Sequence, residues 1–213
     1  MPIAIKICGL KTAEALDAAL SGGASHVGFI FFAKSPRNIA PEEAGRLRQA
    51  ARGRAKAVAV TVDADDAQLD TIVAAMAPDM LQLHGKESPE RVAAVKARYS
   101  LPVMKAFSVS EAADVAAADA YRGVADMLLF DARPPQGAEL PGGNGVPFDW
   151  RILAGYRGDY LLSGGLTPQN VGEAIRLVDP PGLDVSSGVE SAPGVKDAAL
   201  IAAFFAAVRA AKG

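Results

Sequence analysis

The chain of 213 residues alternates short apolar segments with amphipathic, alanine-rich segments from one end to the other. Segments that alternate in this way are typical of repeated strand–helix units around a parallel sheet. The predicted strands lie near Ile3–Cys8, His26–Phe31, Ala57–Thr61, Met80–Leu83, Pro102–Phe107, Met127–Phe130, Tyr160–Leu162 and Leu183–Val185. The predicted helices lie near Thr12–Ser21, Pro41–Arg52, Asp65–Met76, Pro89–Tyr99, Ser110–Ala117, Asp149–Ala154, Pro168–Leu177 and Lys196–Ala211.

This number of strand–helix units in a chain of this length fits one (β/α)₈ TIM barrel, a single domain over residues 1–213. A doubly wound open sheet shows the same alternation. Because no Gly-x-Gly-x-x-Gly follows the first strand, the dinucleotide-binding form of that alternative is disfavoured. We therefore expect an α/β barrel.

Composition narrows the classes of partner. The formal net charge of −2 gives no long-range attraction to nucleic acid or an anionic membrane, so we expect a small molecule or a protein as the partner. One cysteine and two histidines argue against a disulfide and against a metal site. The start, Met-Pro-Ile-Ala-Ile-Lys, lacks the pattern of a secretory signal, and no apolar run reaches about 18 residues, so we expect a cytoplasmic protein.

Polar side chains gather at the carboxyl ends of the predicted strands. If Ile3, Ile5 and Ile7 pack under the helices, alternation turns Lys6 and Cys8 into the barrel. At the ends of later strands, the same parity turns inward Gln82, His84, Asp131, Asp184 and Ser186. In a TIM barrel this end of the strands carries the active site.

Two charged residues inside a barrel need partners or a ligand, and Lys6 and Asp184 suit each other as a buried ion pair. A structural role for the pair is about as plausible as a catalytic one. Cys8 is either a small buried hydrophobe or a catalytic base, and a cation such as Lys6 close to its sulfur favours the thiolate.

Three further residues are candidates on the same rim. Asp131 closes an apolar strand and opens the long Pro- and Gly-rich segment Asp131–Phe148, so it is either a general acid or a turn-capping carboxylate. Arg37 follows the second strand and either grips a carboxylate or is a solvated loop charge. His84 is either a substrate contact or a histidine satisfied by its neighbours.

Two glycine-rich turns follow the last two predicted strands, Ser163-Gly164-Gly165-Leu166 and Ser186-Ser187-Gly188-Val189. Glycine allows backbone N–H groups to approach an anion closely. In TIM barrels the loops after strands seven and eight commonly bind phosphate. The turns therefore predict a phosphorylated substrate, with Gly164, Gly165, Ser187 and Gly188 as its phosphate-binding residues.

The sequence resembles the phosphoribosylanthranilate isomerases, (β/α)₈ enzymes of tryptophan biosynthesis. The matching segments follow the family's order over nearly the whole chain. They are Lys6-Ile7-Cys8-Gly9-Leu10, Ser35-Pro36-Arg37, Leu81-Gln82-Leu83-His84-Gly85, Leu129-Phe130-Asp131, Gly142-Gly143-Asn144-Gly145 with Phe148-Asp149-Trp150, Leu162-Ser163-Gly164-Gly165-Leu166 and Asp184-Val185-Ser186-Ser187-Gly188-Val189-Glu190. One departure is Asn144, where the family usually has Thr or Ser.

The resemblance implies an Amadori rearrangement of N-(5-phosphoribosyl)anthranilate that needs no metal or organic cofactor. Asp131 is implied as the acid that opens the sugar ring, Cys8 as the base that removes the C2 proton, and Arg37 as the residue that binds the anthranilate carboxylate. The implied phosphate ligands are the backbone groups around Gly164, Gly165, Ser187 and Gly188, and the remaining implied substrate-site residues are Lys6, Gln82, His84 and Asp184.

Two other functions fit parts of the pattern. The related isomerase of histidine biosynthesis performs the same rearrangement, but it is expected to have an aspartate in place of Cys8 and a clearer internal repeat. A non-catalytic phosphate-binding barrel would leave Cys8 inert in the core. Every matched polar position is occupied here, which disfavours that possibility.

Overall fold

A computed structural model of the chain describes residues 3–133, 142 and 148–212. Eight parallel strands form a closed barrel in chain order, and the eighth pairs with the first, which confirms the predicted TIM barrel. They are β1 (Ala4–Cys8), β2 (His26–Phe31), β3 (Lys56–Thr61), β4 (Met80–Leu83), β5 (Val103–Val109), β6 (Met127–Ala132), β7 (Tyr160–Leu162) and β8 (Gly182–Val185). Asn144 and most of the predicted Asp131–Phe148 segment lie outside the described residues.

Helices follow the strands around the outside of the barrel. They are α1 (Ala13–Gly22), α2 (Pro41–Ala51), α3 (Asp66–Met76), α4 (Pro89–Tyr99), α5 (Ala112–Ala117), α6 (Val171–Val178) and α7 (Ala198–Lys212). Thr12 and Ser88 cap α1 and α4, as their hydroxyls and positions predict. Among the helices that the structure describes, none has the length and apolar character that a membrane span requires.

Three predicted helices differ from the structure. Asp149–Ala154 is a short 3₁₀ helix at Trp150–Leu153, in which the Asp149 side chain accepts from the Arg151 N–H. The predicted helix after β7 begins at Val171 rather than Pro168, because the Asn170 side chain accepts the Thr167 N–H in a preceding turn. Lys196 belongs to a hairpin, β9 (Glu190–Ala192) and β10 (Val195–Lys196), inserted between β8 and α7.

The strands divide their side chains between two apolar layers. One layer packs between the barrel and the helices and includes Ile5, Ile7 and Leu81. The other fills the barrel interior, where alternate strand positions meet. The interior layer consists of Cys8, Val58, Val60, Met80, Met104, Ala106, Leu129 and Leu161. The predicted inward direction of Cys8 is therefore confirmed.

A buried ion pair braces the loops after β3 and β4. Lys105 Nζ lies 3.1 Å from Glu87 Oε2 and donates to the carbonyl oxygens of Gly85 and Ala106 at 2.8 and 2.9 Å. The Glu87 carboxylate accepts the backbone N–H groups of Asp63 and Gly85. Burial lowers the pKa of Lys105, and Glu87 opposes that shift. Both side chains are closed off from solvent, so neither charge has water as an alternative partner.

We expect Glu87→Ala to lower the free energy of unfolding by about 3–5 kcal/mol, because it leaves the Lys105 ammonium buried without its carboxylate. Urea denaturation at pH 7 measures the loss. Glu43→Ala is the matched control, since it removes an exposed carboxylate that pairs with Arg46 on the surface of α2. Equal stability of the two variants would show that the buried pair contributes nothing.

Candidate active site

A cavity opens at the carboxyl ends of the strands, the end at which TIM barrels carry their active sites. Nine of the predicted site residues line it: Cys8, Arg37, Gln82, His84, Asp131, Gly164, Gly165, Asp184 and Ser187. The other two, Lys6 and Gly188, are not among the described residues that line it, and Lys6 is completely buried. Segments as far apart in the sequence as Cys8 and Ser187 thus meet around one cavity.

Lys6 and Asp184 form the expected ion pair on neighbouring strands. Lys6 Nζ lies 2.8 Å from Asp184 Oδ1, and the lysine is completely buried. Burial alone would lower the pKa of Lys6, but Asp184 raises it above its ordinary value, so the lysine remains charged. The second carboxylate oxygen accepts from the Ser163 hydroxyl at 3.2 Å. Asp184 therefore reaches the cavity, whereas Lys6 lies below it.

Cys8 ends β1 with its side chain turned toward the cavity. Burial raises the pKa of its thiol, and the Lys6 ammonium acts in the opposite direction. The expected influence of Lys6 is therefore present, but desolvation outweighs it. A thiolate formed here is a stronger base than an ordinary cysteine thiolate.

Gly28 on β2 makes room for both reactive side chains of β1. A β-carbon at this position would lie 3.0 Å from Cys8 Sγ and 3.1 Å from Lys6 Cε. Both distances are shorter than normal van der Waals contacts, so a side chain would displace the sulfur or the ammonium. The absence of a side chain at Gly28 is thus part of how the site is formed.

We expect Gly28→Ala to lower kcat by about 10-fold to 10²-fold, since small displacements of a reacting group have effects of that size. Steady-state turnover with a matched melting curve measures the effect. Gly172→Ala is the control, because a β-carbon there meets its nearest atom at an ordinary 3.7 Å. A Gly28→Ala enzyme with normal turnover would rule out this role.

His84 faces Asp131 across the mouth of the barrel. The Gln82 amide nitrogen lies 2.9 Å from His84 Nδ1. Because an amide NH2 group can only donate, Nδ1 is the acceptor and the ring proton lies on Nε2. His84 Nε2 lies 3.5 Å from Asp131 Oδ2. Asp131 Oδ1 accepts the Ala132 N–H at 2.9 Å, which fixes the carboxyl group. Gln82 thereby orients His84 toward Asp131.

Gly142 lies against this pair. A β-carbon on Gly142 would lie 2.5 Å from Asp131 Oδ2 and 2.9 Å from His84 Nε2. Only glycine permits so close an approach of the backbone. The Asp131 side chain, with 5% of its residue exposed, is therefore largely shielded from solvent.

Arg37 is not a solvated loop charge. Its residue is 4% exposed, and its Nε and Nη2 atoms donate to the two carboxylate oxygens of Glu190 at 2.8 and 2.9 Å. Its side-chain carbons pack over Gly9, where a β-carbon would lie 2.8 Å from Arg37 Cδ. The guanidinium is thus held in a fixed orientation at the edge of the cavity that Cys8 also lines.

The two glycine turns pack against each other. Gly164 and Gly165 have φ values of +84° and +67°, a left-handed conformation that favours glycine. A β-carbon on Gly188 would lie 1.8 Å from the Leu166 carbonyl oxygen, so this glycine holds the second turn against the first. Gly164, Gly165 and Ser187 line the cavity.

Sequence reasoning singled out neither Glu190 nor Lys196 as a site residue. Glu190 ends a segment that resembles the family, and this could have marked it as a site residue, whereas nothing in the sequence marked Lys196. Both depend on the hairpin that replaces the predicted start of the last helix. Within the described ranges, no cluster of three His, Cys, Asp or Glu side chains suits a metal ion.

Comparisons with known proteins agree with this geometry. A family model described as N-(5'-phosphoribosyl)anthranilate (PRA) isomerase matches residues 5–207. An N-(5'-phosphoribosyl)anthranilate isomerase from Mesorhizobium japonicum is 70% identical over 100% of this chain and 98% of its own length. A second protein of that name, from a Chelativorans species, is 66% identical over 100% of this chain and 99% of its own length.

Solved structures show the same relationship. Phosphoribosyl anthranilate isomerase from Thermotoga maritima superposes with a TM-score of 0.86 at 34% identity, over 98% of this chain and 99% of that one. Another phosphoribosyl anthranilate isomerase, solved with reduced 1-(o-carboxyphenylamino)-1-deoxyribulose 5-phosphate, has a TM-score of 0.83 at 33% identity over the same shares of the two chains. The chain therefore belongs to the N-(5'-phosphoribosyl)anthranilate isomerase family.

Proposed function

We propose that this chain converts N-(5-phosphoribosyl)anthranilate to 1-(2-carboxyphenylamino)-1-deoxyribulose 5-phosphate, an Amadori rearrangement in tryptophan biosynthesis. The observation that carries the proposal is that a thiol at the end of β1 and a carboxyl group at the end of β6 line one cavity. A relative solved with a reduced form of that product supports the identity of the ligand.

Asp131 is the general acid in this proposal. Opening the furanose requires a proton on the ring oxygen, and the protonated Asp131 carboxyl group donates it as the C1–O bond breaks. The nitrogen lone pair then forms a C1=N bond, which leaves a positive charge on nitrogen. His84 and Gly142 hold the carboxyl group in a shielded position.

Cys8 is the general base. The iminium group makes the neighbouring C2 proton acidic, and the Cys8 thiolate removes it to form an enolamine. The enolamine loses its hydroxyl proton to water and C1 gains a proton from water, which yields the ketone. The Cys8 thiol releases its proton to solvent and the Asp131 carboxylate takes one up, which restores both groups for the next turnover. The positive charge of the iminium also favours the thiolate over the thiol, which offsets the effect of burial on Cys8.

The two ends of the substrate are anionic and distant from each other. We assign the anthranilate carboxylate to the Arg37 guanidinium and the phosphate to the backbone of the paired turns at Gly164, Gly165 and Ser187, with Gly188 as their packing support. Gln82 and His84 line the intervening space and offer polar atoms to the ribose hydroxyls. Asp184, held by Lys6, faces the same space.

The two alternative functions are less well supported. Cys8 occupies the position where the histidine-pathway isomerase is expected to hold an aspartate, and the family match is to the anthranilate enzyme. A non-catalytic barrel would have no need for Cys8 and Asp131 to line the ligand cavity. We also propose that residues 1–213 form one domain, that the protein acts in the cytoplasm, and that it needs no metal or organic cofactor.

A turnover assay tests the proposed function. Purified protein is added to N-(5-phosphoribosyl)anthranilate, and loss of substrate fluorescence is followed in the presence of a chelator. We expect turnover that the phosphoribosyl aminoimidazole substrate of the histidine-pathway isomerase does not show. Turnover of that second substrate alone, or of neither, would contradict the proposal.

A further inference from the structure

The hairpin between β8 and α7 carries two charged residues to the edge of the cavity. Glu190 begins β9, Lys196 ends β10, and the two are paired across the hairpin. Their side chains are 3% and 2% exposed, respectively. Charged groups this deeply buried need specific partners, so their contacts indicate what the hairpin is for.

Glu190 makes contacts that fix the orientation of Arg37. Its two oxygens accept Nε and Nη2 of the arginine at 2.8 and 2.9 Å, a bidentate arrangement with little rotational freedom. The same carboxylate accepts from Lys196 Nζ at 2.5 Å and from the Gly194 N–H at 3.2 Å. Burial opposes ionisation, but Arg37 and Lys196 hold the pKa of the Glu190 carboxyl group below its ordinary value.

Lys196 connects this carboxylate to the turn behind Cys8. Besides Glu190, its Nζ atom donates to the Ser186 carbonyl oxygen at 2.9 Å and lies 3.3 Å from the Ser186 hydroxyl oxygen. That hydroxyl donates to the Cys8 carbonyl oxygen at 3.2 Å. One chain of contacts therefore runs from Arg37 through the hairpin to the backbone of the catalytic base.

We propose that Glu190 and Lys196 are positioning residues for the isomerisation. Glu190 holds the Arg37 guanidinium in the orientation that receives the substrate carboxylate. Lys196 ties that pair to the Ser186 turn and places a second ammonium near the Cys8 thiol. The proposal rests on the function assigned above, and the hairpin links recognition at one end of the substrate to proton abstraction at its centre.

A double-mutant cycle tests the part that concerns Glu190. We expect Glu190→Gln to lower kcat/KM by about 10-fold or more, mainly through KM, because the guanidinium loses its fixed orientation. In an Arg37→Ala background the same change should alter kcat/KM by less than about 2-fold, since the residue through which it acts is gone. Glu43→Gln, an exposed carboxylate on α2, is the matched control.

The binding of product analogues is a second test of the role of Glu190. The reduced product analogue should bind Glu190→Gln less tightly than it binds the unmodified enzyme, whereas an analogue that lacks the benzoate carboxylate should bind both equally. Independent losses in the double-mutant cycle, or equal weakening of both analogues, would overturn the role of Glu190. If Glu190→Gln does not fold, Glu190→Asp is carried through the same cycle. Absence of turnover in the unmodified enzyme would instead overturn the proposed function.

Alkylation of Cys8 tests the part that concerns Lys196. Cys8 is the only cysteine, so the pH dependence of iodoacetamide labelling reports its pKa alone. The charged groups that influence this thiol directly are Lys6, Asp184 and Lys196, and the cavity walls add Arg37, His84 and Asp131. Lys196→Met should shift the titration to higher pH and slow labelling at pH 8 by about 3-fold to 10-fold.

Lys212→Met is the matched control, because this lysine ends α7 and pairs with Asp179 on the exposed surface. It should leave the titration unchanged. A change in packing without an electrostatic effect would alter the labelling rate equally at every pH, whereas the proposal requires a displaced midpoint. An unshifted midpoint in folded Lys196→Met would overturn it; if that variant does not fold, the same titration of Lys196→Gln decides.

Discussion

Replacing Cys8 by alanine is expected to lower kcat by about 10²-fold to 10⁴-fold while the barrel stays folded. The thiol lies at the end of β1 and lines the cavity, and its loss removes the proposed acceptor of the C2 proton. Steady-state kinetics at saturating substrate measures kcat, and a thermal melt shows that the fold is retained. Near-normal turnover in Cys8→Ala would exclude the thiol as the base.

The pH profile provides a second check on the same residue. Burial raises the pKa of the Cys8 thiol, so the limb of the kcat/KM profile that follows thiolate formation should lie at higher pH than it would for an ordinary cysteine. Cys8→Ala should lose that limb of the profile. Val58→Ala is the matched control, since Val58 shares the barrel interior with Cys8 but does not line the cavity. Val58→Ala should lower the free energy of unfolding without removing that limb of the pH profile.

Replacing Asp131 by asparagine is expected to reduce kcat by a similar factor, about 10²-fold to 10⁴-fold. The amide has the shape of the carboxyl group but cannot supply a proton to the ring oxygen. The amide oxygen can still accept the Ala132 N–H, and the side chain keeps its size, so the fold should persist. Turnover at saturating substrate and a melting curve measure the two effects.

Asp70→Asn is the matched control for this substitution. Asp70 lies on α3 and pairs with Arg98 on the surface, so its loss should leave kcat unchanged. An Asp131→Asn enzyme that retained the turnover of this control would show that ring opening does not depend on Asp131. In that case His84, the nearest titratable neighbour, would become the first candidate for the acid.

The outcome at Arg37 shows why a loop residue is harder to predict than a strand residue. The alternation of β1 was enough to place Cys8 inside the barrel, because a strand turns every second side chain to the same face. Arg37 follows no such period. Its burial and its pairing with Glu190 depend on a contact across 153 positions of sequence.

The protonation of Cys8 beside Lys6 is a second property that the sequence does not predict. The sequence indicated correctly that Lys6 would meet Asp184. It also suggested that this lysine would favour the thiolate, and the structure shows burial outweighing that effect. The balance between a neighbouring charge and desolvation depends on how much water remains around the sulfur, which only the packed structure decides.

Local periodicity and turn chemistry are enough to predict the barrel, the inward face of each strand and the gathering of polar residues at the carboxyl ends of the strands. Which distant groups meet follows instead from the packed fold: Glu190 and Lys196 on a hairpin whose last residue was predicted to begin a helix, Gly28 beside Cys8, and Glu87 with Lys105. These contacts join distant segments, and their strength depends on burial, so no local pattern specifies them.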